Sequence, residues 1–518
     1  MKKLLLIVSI TLFVINGFAQ SRYLDEVFTD VNIYPNIVYG QNFTFFPTGH
    51  PISESLVMDI YEPKDDWIAS RPLIIYLHTG SFLPILVNQT ATGDMRDSAT
   101  VEMCKQFARR GYVAVSMDYR VGWNPAAVGA GGQDIRTGTL LQAVYRSLQD
   151  TKTCVRYFKM TVKDSTNPWR IDTNRIILGG QGSGGYVVLA YATLKSLDQI
   201  ILPKFIATTD QPSYGIYSGL PYVLEGIWGD LDGFGGQDTL NHDNWPGYTN
   251  NVHFVFNMGG ALGDASWLEA GDVPMVCFHV PNDPFAPYDN GPVIVPTTGQ
   301  FVVDVSGSHR VIRIADSLGN NDSFNLPFND PYTTRANMVN DGYYGLFPFV
   351  LPGNPNAQGI GQAGPWEWWN LTALENLGFG VALADTGNAH SLVTNPDMSK
   401  TKALHYIDSV QGYLAPRMVA SLNLDTMHIN IGIPQVNPGN AVKMFPNPAV
   451  TYFTLQLDNA AEQMRYIKLF DLTGRLVMEI SNINSSQVKI AREDLTPGLF
   501  MVKIGLKDRE LNGKLMFQ

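Results

Sequence analysis

Hydrophobic and polar positions divide the chain into two parts with different periods. Between about residues 21 and 424, short apolar runs alternate with stretches of helical spacing. The apolar runs predict strands at 73–77, 113–117, 175–178, 253–256 and 274–278. The helical spacing predicts helices at 101–110, 140–159, 186–194, 311–318 and 402–413. Alternating strands and helices predict an α/β domain with a mostly parallel sheet and helices on both faces.

Two stretches interrupt this alternation. Residues 212–250 and 320–388 are rich in Gly, Asp, Asn and aromatic residues and show no clear period. Loops of this length in a compact domain are usually functional, so a cap is predicted at 320–388. Its Trp366, Trp368 and Trp369 could line a substrate cleft, although such a cluster more often forms the core of the cap itself.

The C-terminal part is predicted to be a separate all-β unit. Residues 429–442 shift to Asn, Gly, Pro and Ile, which is typical of a linker. From 443 to 518 apolar residues alternate with polar ones, with turn residues between the alternating segments. This pattern predicts a small β-sandwich after an α/β domain that spans 21–428.

The N-terminus is predicted to be a signal peptide, residues 1–20. Lys2 and Lys3 precede an apolar run at 4–15 that is short for a membrane span, and Gly17 and Ala19 supply small residues for cleavage after Ala19 or Gln20. The mature chain is therefore expected to be exported, with no transmembrane span.

Composition narrows the partners and the chemistry. The 518 residues carry a net charge of −11, which argues against a nucleic-acid partner. The three cysteines, Cys104, Cys154 and Cys277, have no metal-ligand spacing and are predicted to be buried free thiols. Asp230-x-Asp232-Gly233 is similar to the start of a calcium loop but lacks the later ligands. We therefore predict no cofactor and no metal.

Four motifs in the C-terminal unit occur in one order. They are MFPNPA at 444–449, IKLFDLTGRLV at 467–477, LTPGLFMVKI at 495–504 and GKLMFQ at 513–518. Together they resemble the C-terminal sorting domain of the type IX (Por) secretion system. The resemblance implies a Bacteroidetes-type Gram-negative source, the type IX secretion machinery as partner, and a protein that is secreted or attached to the cell surface.

Four other motifs lie in the α/β part. They are IIYLHTGSF at 74–82, VAVSMDYRVG at 113–122, RIILGGQGSGG at 175–185 and VPMVCFHVPNDPFAPYDNG at 273–291. Their order and spacing resemble the α/β-hydrolase superfamily, in particular its carboxylesterase and lipase branch. The resemblance implies serine-type acyl transfer on a small-molecule or polymer ester, and no cofactor.

The first motif resembles the oxyanion loop of that family. Acyl transfer needs hydrogen-bond donors where negative charge develops, and backbone N–H groups of a glycine-containing loop can approach that point closely. The resemblance therefore assigns the oxyanion hole to Gly80, Ser81 and Ser183. Thr79 stands where the family usually has glycine, which would narrow the hole.

The acid and the histidine are assigned by chain order. Asp283 follows the strand at 274–278 and is predicted to be the acid, with Asp289 as the alternative. His390 in a loop-like TGNAH segment is predicted to complete the triad, and His309 is the alternative. His405 and His428 lie in a helical pattern and near the linker, and are predicted to be structural.

The nucleophile position is open between two residues. An ungapped match of RIILGGQGSG to Gly-x-Ser-x-Gly places Gly182 where the nucleophile belongs. A shift by one residue makes Ser183 the nucleophile, but then Gln181 falls where a small residue is needed. A water activated by His390 and Asp283 would lack the covalent step.

Two functions therefore remain. The first is a secreted esterase that uses Ser183, Asp283 and His390. The second is a catalytically impaired hydrolase fold that binds a ligand or a surface, with Gly182 at the nucleophile position. A purely structural module would leave the acid and the oxyanion loop unexplained.

Overall fold

The computed structural model describes residues 21–44, 50–295, 297–352, 361–424, 442–471, 475–492, 495–507 and 510–517. The predicted signal peptide at 1–20 lies outside them, as does nearly all of the predicted linker at 429–442. The chain divides into a main unit, residues 1–429, and a C-terminal unit, residues 430–518.

The main unit contains one large sheet, as the alternation of strands and helices predicts. Its strands and those of a separate hairpin are β1 Val31–Thr44, β2 Ile52–Pro63, β3 Arg71–Leu77, β4 Val113–Met117, β5 Ile171–Gln181, β6 Phe254–Met258, β7 Met275–His279, β8 Asn290–Ile294, β9 Phe301–Ser306 and β10 Leu346–Pro348. The sheet order is β1-β2-β4-β3-β5-β6-β7-β10, and β8 pairs only with β9. The pairings are parallel from β4 through to β10, and antiparallel for β1–β2 and β2–β4.

Helices cover both faces of this sheet. They are α1 Ile85–Asn88, α2 Ser98–Arg109, α3 Gly132–Asp164, α4 Ser183–Thr193, α5 Glu225–Trp228, α6 Ser308–Ser317, α7 Pro331–Asn337, α8 Leu371–Leu374, α9 Gly380–Thr394 and α10 Lys400–Leu422. Alternate residues of β3 enter different cores, because successive side chains of a strand point to opposite faces. Leu73, Ile75 and Leu77 pack with α3, α4 and α6. Ile74 and Tyr76 pack with α2 and α10.

The segment predicted as a cap is only partly separate from the main sheet and its cores. It contains β10, which pairs with β7 in the main sheet, so this part belongs to the domain itself. Trp366 is buried in the same core as α2 and α10, whereas Trp369 packs in a small cluster with Leu374 and Ala384. The irregular segment could not be divided in this way by period alone.

The C-terminal unit is all-β, as predicted. Its strands are β11 Val442–Phe445, β12 Tyr452–Leu457, β13 Met464–Phe470, β14 Leu476–Ser485, β15 Gln487–Ala491, β16 Gly498–Gly505 and β17 Glu510–Phe517. They form two antiparallel sheets, β11-β12-β15 and β14-β13-β16-β17. Phe453 and Leu455 of one sheet share a core with Ile467 and Val502 of the other, which is the arrangement of a sandwich.

Two further predictions bear on the whole chain. Cys104, Cys154 and Cys277 are buried free thiols, as predicted. Within the described ranges, no helix has the length and apolar character needed to cross a membrane.

Candidate active site

The turn between β5 and α4 has Gly182 at its apex. β5 ends at Gln181 and α4 begins at Ser183, so Gly182 alone forms the sharp turn, with φ 53° and ψ −118°. Glycine adopts this conformation without steric cost, whereas a residue with a Cβ is strained there. The Gly182 N–H donates to the carbonyl of Met258 at 2.9 Å, which fixes the turn against β6. The apex therefore presents backbone and no side chain.

Gly180 and Gly184, on either side of the apex, both lie in tightly packed positions. A Cβ at Gly180 would lie 2.3 Å from the Gly184 carbonyl oxygen, and one at Gly184 would lie 2.4 Å from that of Leu77. These two positions, each two residues from Gly182, are the ones at which the helix packs on the strand. Gln181, between them, is buried and donates from Nε2 to Glu367 at 3.3 Å.

Thr79 occupies the space that a side chain on the apex would need. A Cβ built on Gly182 would lie 2.1 Å from Thr79 Oγ1 and 2.9 Å from Thr79 Cβ. Both distances are far shorter than a van der Waals contact between heavy atoms. The two departures from the expected motifs, Thr79 and Gly182, therefore fit each other sterically.

The Ser183 hydroxyl is engaged in the protein interior. Ser183 is 5% exposed, and its Oγ lies 2.9 Å from the Tyr119 hydroxyl. Tyr119 donates its one proton to the His78 carbonyl at 2.7 Å, so Ser183 is the donor in its bond to Tyr119. Burial raises the pKa of Tyr119, which keeps it neutral. The serine thus points at a phenol that cannot act as a base at neutral pH.

Ser183→Ala is expected to lower the free energy of unfolding by about 1 kcal/mol, because one buried hydrogen bond is lost. Urea denaturation measures the change. Ser317→Ala is the matched control, since Ser317 is an exposed serine of α6 whose hydroxyl donates one hydrogen bond, to the Ile314 carbonyl. Equal effects of the two substitutions would contradict the described environment of Ser183.

The loop after β3, which is predicted to be the oxyanion loop, has an uncommon backbone conformation. Gly80, Ser81 and Phe82 all have positive φ, at 132°, 55° and 55°. The Phe82 carbonyl accepts hydrogen bonds from the backbone N–H groups of Gly122 and Trp123, at 2.8 and 3.1 Å. Gly80, Ser81 and Ser183 line one cavity together with Gly182. As the first residue of α4, Ser183 has no acceptor for its N–H within the helix.

Asp283 lies in the same cavity, beyond the end of β7. Its Oδ1 accepts the backbone N–H groups of Phe285 at 2.7 Å and Ala286 at 3.3 Å. Burial raises the pKa of Asp283 to about 7. Its described hydrogen bonds come from backbone donors, and none of them comes from an imidazole.

The predicted histidines are not bonded to this carboxyl group. His390 lies within α9 and not in the loop that the sequence suggested, because residues 380–394 continue as helix through the TGNAH segment. Its Nδ1 donates to the Gln89 carbonyl at 3.0 Å, although the residue does line the cavity. Among the described residues, no hydrogen bond joins any two of Ser183, Asp283 and His390.

The alternative acid and histidine, Asp289 and His309, lie next to each other but outside the lining of this cavity. His309 Nδ1 lies 3.3 Å from Asp289 Oδ1, and His309 Nε2 lies 3.3 Å from Asp341 Oδ2. Neither Asp289 nor His309 is among the residues that line the cavity beside Gly182.

Sequence reasoning missed Glu367 as a cavity residue. Its carboxylate accepts hydrogen bonds from Gln181 Nε2 and Thr92 Oγ1, each at 3.3 Å. Burial, together with the charge of Asp97, raises the pKa of Glu367 to about 8. Its neighbour Trp366 is 3% exposed and also lines the cavity. The signal was the GPWEWWNL segment, whose aromatic residues drew attention away from its one carboxyl group.

The cavity beside the apex has a volume of about 190 Å³. The loop after β3, Gly182, Asp283 and Glu367 line it, together with other polar residues such as Thr394 and Asn395. Most of the remaining wall is apolar and includes side chains from α3 and from the β8–β9 hairpin. A mainly apolar lining with a few polar groups is typical of a small-molecule site.

The calcium-like segment has other partners. Asp232 contacts Lys152 at 2.8 Å, and Asp230 Oδ1 accepts the N–H groups of Asp232 and Phe234, each at 2.9 Å. In the described part of the chain, no group of three or more His, Cys, Asp and Glu side chains could hold a metal ion.

Two family models match separate parts of the chain. A family model described as "Secretion system C-terminal sorting domain" matches residues 443–518, and the model BD-FAE matches residues 58–213. No curated protein matches the chain.

Similar solved structures include an esterase from Thermogutta terrifontis. Esterase 2 phosphorylated by paraoxon is 15% identical, with a TM-score of 0.33, and the match covers 68% of this chain and 91% of that one. The same esterase with propionate bound is 15% identical, with a TM-score of 0.33 and coverage of 70% and 95%. A bifunctional GH43-CE protein of Bacteroides eggerthii is 15% identical, with a TM-score of 0.30 and coverage of 49% and 29%.

The sheet order and the two family matches lead to one description of the chain. The sorting domain marks a protein that is secreted or attached to the cell surface. The chain therefore combines an esterase-like α/β-hydrolase domain, matched by BD-FAE over residues 58–213, with a C-terminal sorting domain of the type IX secretion system over residues 443–518.

Proposed function

We propose that the main unit binds an acyl compound in the cavity beside Gly182 and does not hydrolyse it by serine catalysis. The observation that carries the proposal is the apex itself, where Gly182 has φ 53° and ψ −118° and offers no nucleophilic atom. The fold gains most of its rate from a covalent step, which needs an oxygen at that point.

The surroundings of the other candidate groups support the proposal. Ser183 donates its proton to Tyr119, and His390 donates from Nδ1 to a backbone carbonyl. A triad needs that Nδ1 proton to be directed at the acid, so that Nε2 can accept the proton of the serine. Serine catalysis through Ser183, Asp283 and His390 would therefore require both side chains to exchange their partners.

The path to the cell exterior is part of the proposal. Residues 1–20 have the charge, the apolar run and the small residues of a signal peptide. We propose that they direct export across the inner membrane and that the sorting domain then engages the type IX secretion machinery.

Hydrolysis of p-nitrophenyl butyrate by the full-length protein tests the binding function. The parent and Ser183→Ala are expected to show the same rate, because Ser183 takes no part in acyl transfer. Ser317→Ala controls for the loss of a serine elsewhere. A rate that falls about a thousandfold in Ser183→Ala alone would refute the proposal, since loss of a true nucleophile has an effect of at least this size.

A further inference from the structure

The charged groups of the cavity are unusual for a site that binds acyl compounds. Asp283 and Glu367 line it, and none of its described lining residues is Lys or Arg. Both carboxyl groups are held by uncharged donors only, namely two backbone N–H groups for Asp283, and Gln181 and Thr92 for Glu367. Once both carboxyl groups are ionised, a free carboxylate or a phosphate would meet negative charge here and no Lys or Arg to offset it.

Two buried polar groups in the same wall have no protein partner. They are the Nε1–H of Trp366, a residue that is 3% exposed, and the hydroxyl of Tyr186. A buried donor without an acceptor destabilises the protein unless something else accepts its hydrogen bond. Trp366 Nε1 is a donor only, so the group that satisfies it must be an acceptor.

Asp283 and Trp366 both lie close to Gly259. A Cβ built at Gly259 would lie 3.5 Å from Asp283 Oδ2 and 3.7 Å from Trp366 Cζ2, which is two bonds from Nε1. Ser81 and Ser183, whose backbone N–H groups are predicted oxyanion-hole donors, line the same cavity. A ligand head group beside Gly259 would therefore have a carboxyl acceptor and the indole ring as neighbours.

The remainder of the cavity suits an apolar chain. Leu140, Leu141 and Val144 of α3 line it, together with Phe205 and Trp267. Four of these five also line an adjoining apolar cavity of about 50 Å³ beneath α3, Leu140 being the exception. These shared residues place a second apolar cavity next to the first.

We propose that this cavity selects carboxamides with an apolar chain over esters and free acids. The amide carbonyl accepts hydrogen bonds from Trp366 Nε1 and the oxyanion-loop N–H groups, and the amide N–H donates to Asp283 or Glu367. An ester has no donor for the carboxylates, and a free acid in its carboxylate form is repelled once Asp283 and Glu367 are ionised. This assignment rests on the proposed function, since it describes a ligand that is bound and not cleaved.

Calorimetry with a matched series tests the ligand class. Octanamide, methyl octanoate and octanoate are titrated into the full-length protein at a pH of about 9.5, above the pKa of about 7 of Asp283 and the pKa of about 8 of Glu367. Octanamide is expected to bind about tenfold more tightly than methyl octanoate, because the ester leaves a carboxylate without a donor. Octanoate is expected to bind more weakly than octanamide, because its charge has the same sign as that of the two carboxylates. Tightest binding of any other member, or no binding of octanamide, would overturn the proposal.

Two variants test the side chains that are proposed to select the ligand. Trp366→Phe keeps an aromatic ring but lacks the N–H, and is expected to weaken octanamide binding about fivefold. Asp283→Asn combined with Glu367→Gln removes the negative charge, and is expected to strengthen octanoate binding about tenfold. Asp304→Asn, an exposed carboxylate of β9 outside this cavity, is the control. Unchanged affinities in both test variants, with folding verified by circular dichroism, would contradict the assigned contacts.

Failure of this inference and failure of the proposed function give different results. Release of octanoate from octanamide that Ser183→Ala abolishes would refute binding without hydrolysis and leave the ligand class standing. An altered order of affinities without any hydrolysis would refute the ligand class alone.

Discussion

Gly182→Ser is expected to destabilise the protein by about 2–4 kcal/mol and to give no esterase activity. Its Cβ would overlap Thr79 Oγ1, which lies 2.1 Å from that position. Overpacking of this kind costs about 1–3 kcal/mol, and a non-glycine residue in this backbone conformation adds about 1–3 kcal/mol of strain. Urea denaturation of the full-length protein measures the loss, and p-nitrophenyl butyrate measures the activity.

A second substitution separates these two contributions. Thr79→Gly in the Gly182→Ser chain removes the overlap but leaves the strained backbone, so about half of the lost stability is expected to return. Thr79→Gly alone completes a double-mutant cycle, with an expected coupling of about 1–2 kcal/mol. Additive effects would show that Thr79 and Gly182 do not compensate each other.

The restored serine is expected to remain inactive even in the double variant. Asp283 accepts backbone N–H groups, and among the described residues no imidazole donates to it. A serine without a base next to it is a weak nucleophile. Hydrolysis gained in Gly182→Ser with Thr79→Gly would mean that a histidine can reach the apex.

The second large effect is on the pH dependence of stability. Asp283→Asn is expected to leave stability unchanged near pH 4 and to raise it at pH 8 by about 2 kcal/mol or more relative to the parent. In the parent, burial raises the pKa of Asp283 to about 7. The unfolded chain loses this proton near pH 4 and the folded protein only near pH 7, so parent stability falls between these values.

Asparagine at position 283 has no carboxyl group to titrate, and its side-chain oxygen can still accept a hydrogen bond from the N–H of Phe285. Urea denaturation at intervals from pH 4 to pH 9 measures the difference between the two proteins. Asp304→Asn, at an exposed position, is expected to give a curve parallel to the parent. A difference between Asp283→Asn and the parent that does not change with pH would contradict the raised pKa of Asp283.

Much of the fold follows from the periods of the sequence. The apolar runs at 73–77 and 113–117 coincide with β3 and β4, because a strand buried on both faces needs apolar residues at every position. The alternation in the C-terminal unit likewise marks strands with one buried face. Residues 320–388 had no period, and only strand pairing shows that Leu346–Pro348 belongs to the main sheet.

Of the site, it was mainly the turn around Gly182 that could be predicted from the sequence. The strand, the turn and the helix around Gly182 are local, so their spacing could be matched directly to a known motif. The surroundings of Asp283 include a segment far away in sequence, since a Cβ on Gly259 would lie 3.5 Å from Asp283 Oδ2 and 3.7 Å from the ring of Trp366. No local pattern encodes such an arrangement, and His390 therefore could be proposed only from chain order.

The most direct test of the account is covalent labelling at the elbow. The full-length protein is incubated with an alkyl fluorophosphonate, and intact mass and peptide mapping locate any adduct, with an active serine esterase as positive control for the reagent. The account predicts no adduct on residues 175–194, in the parent or in Ser183→Ala, because Gly182 has no side chain and Ser183 donates to Tyr119. A stoichiometric adduct on Ser183 in the parent, absent in Ser183→Ala, would contradict it.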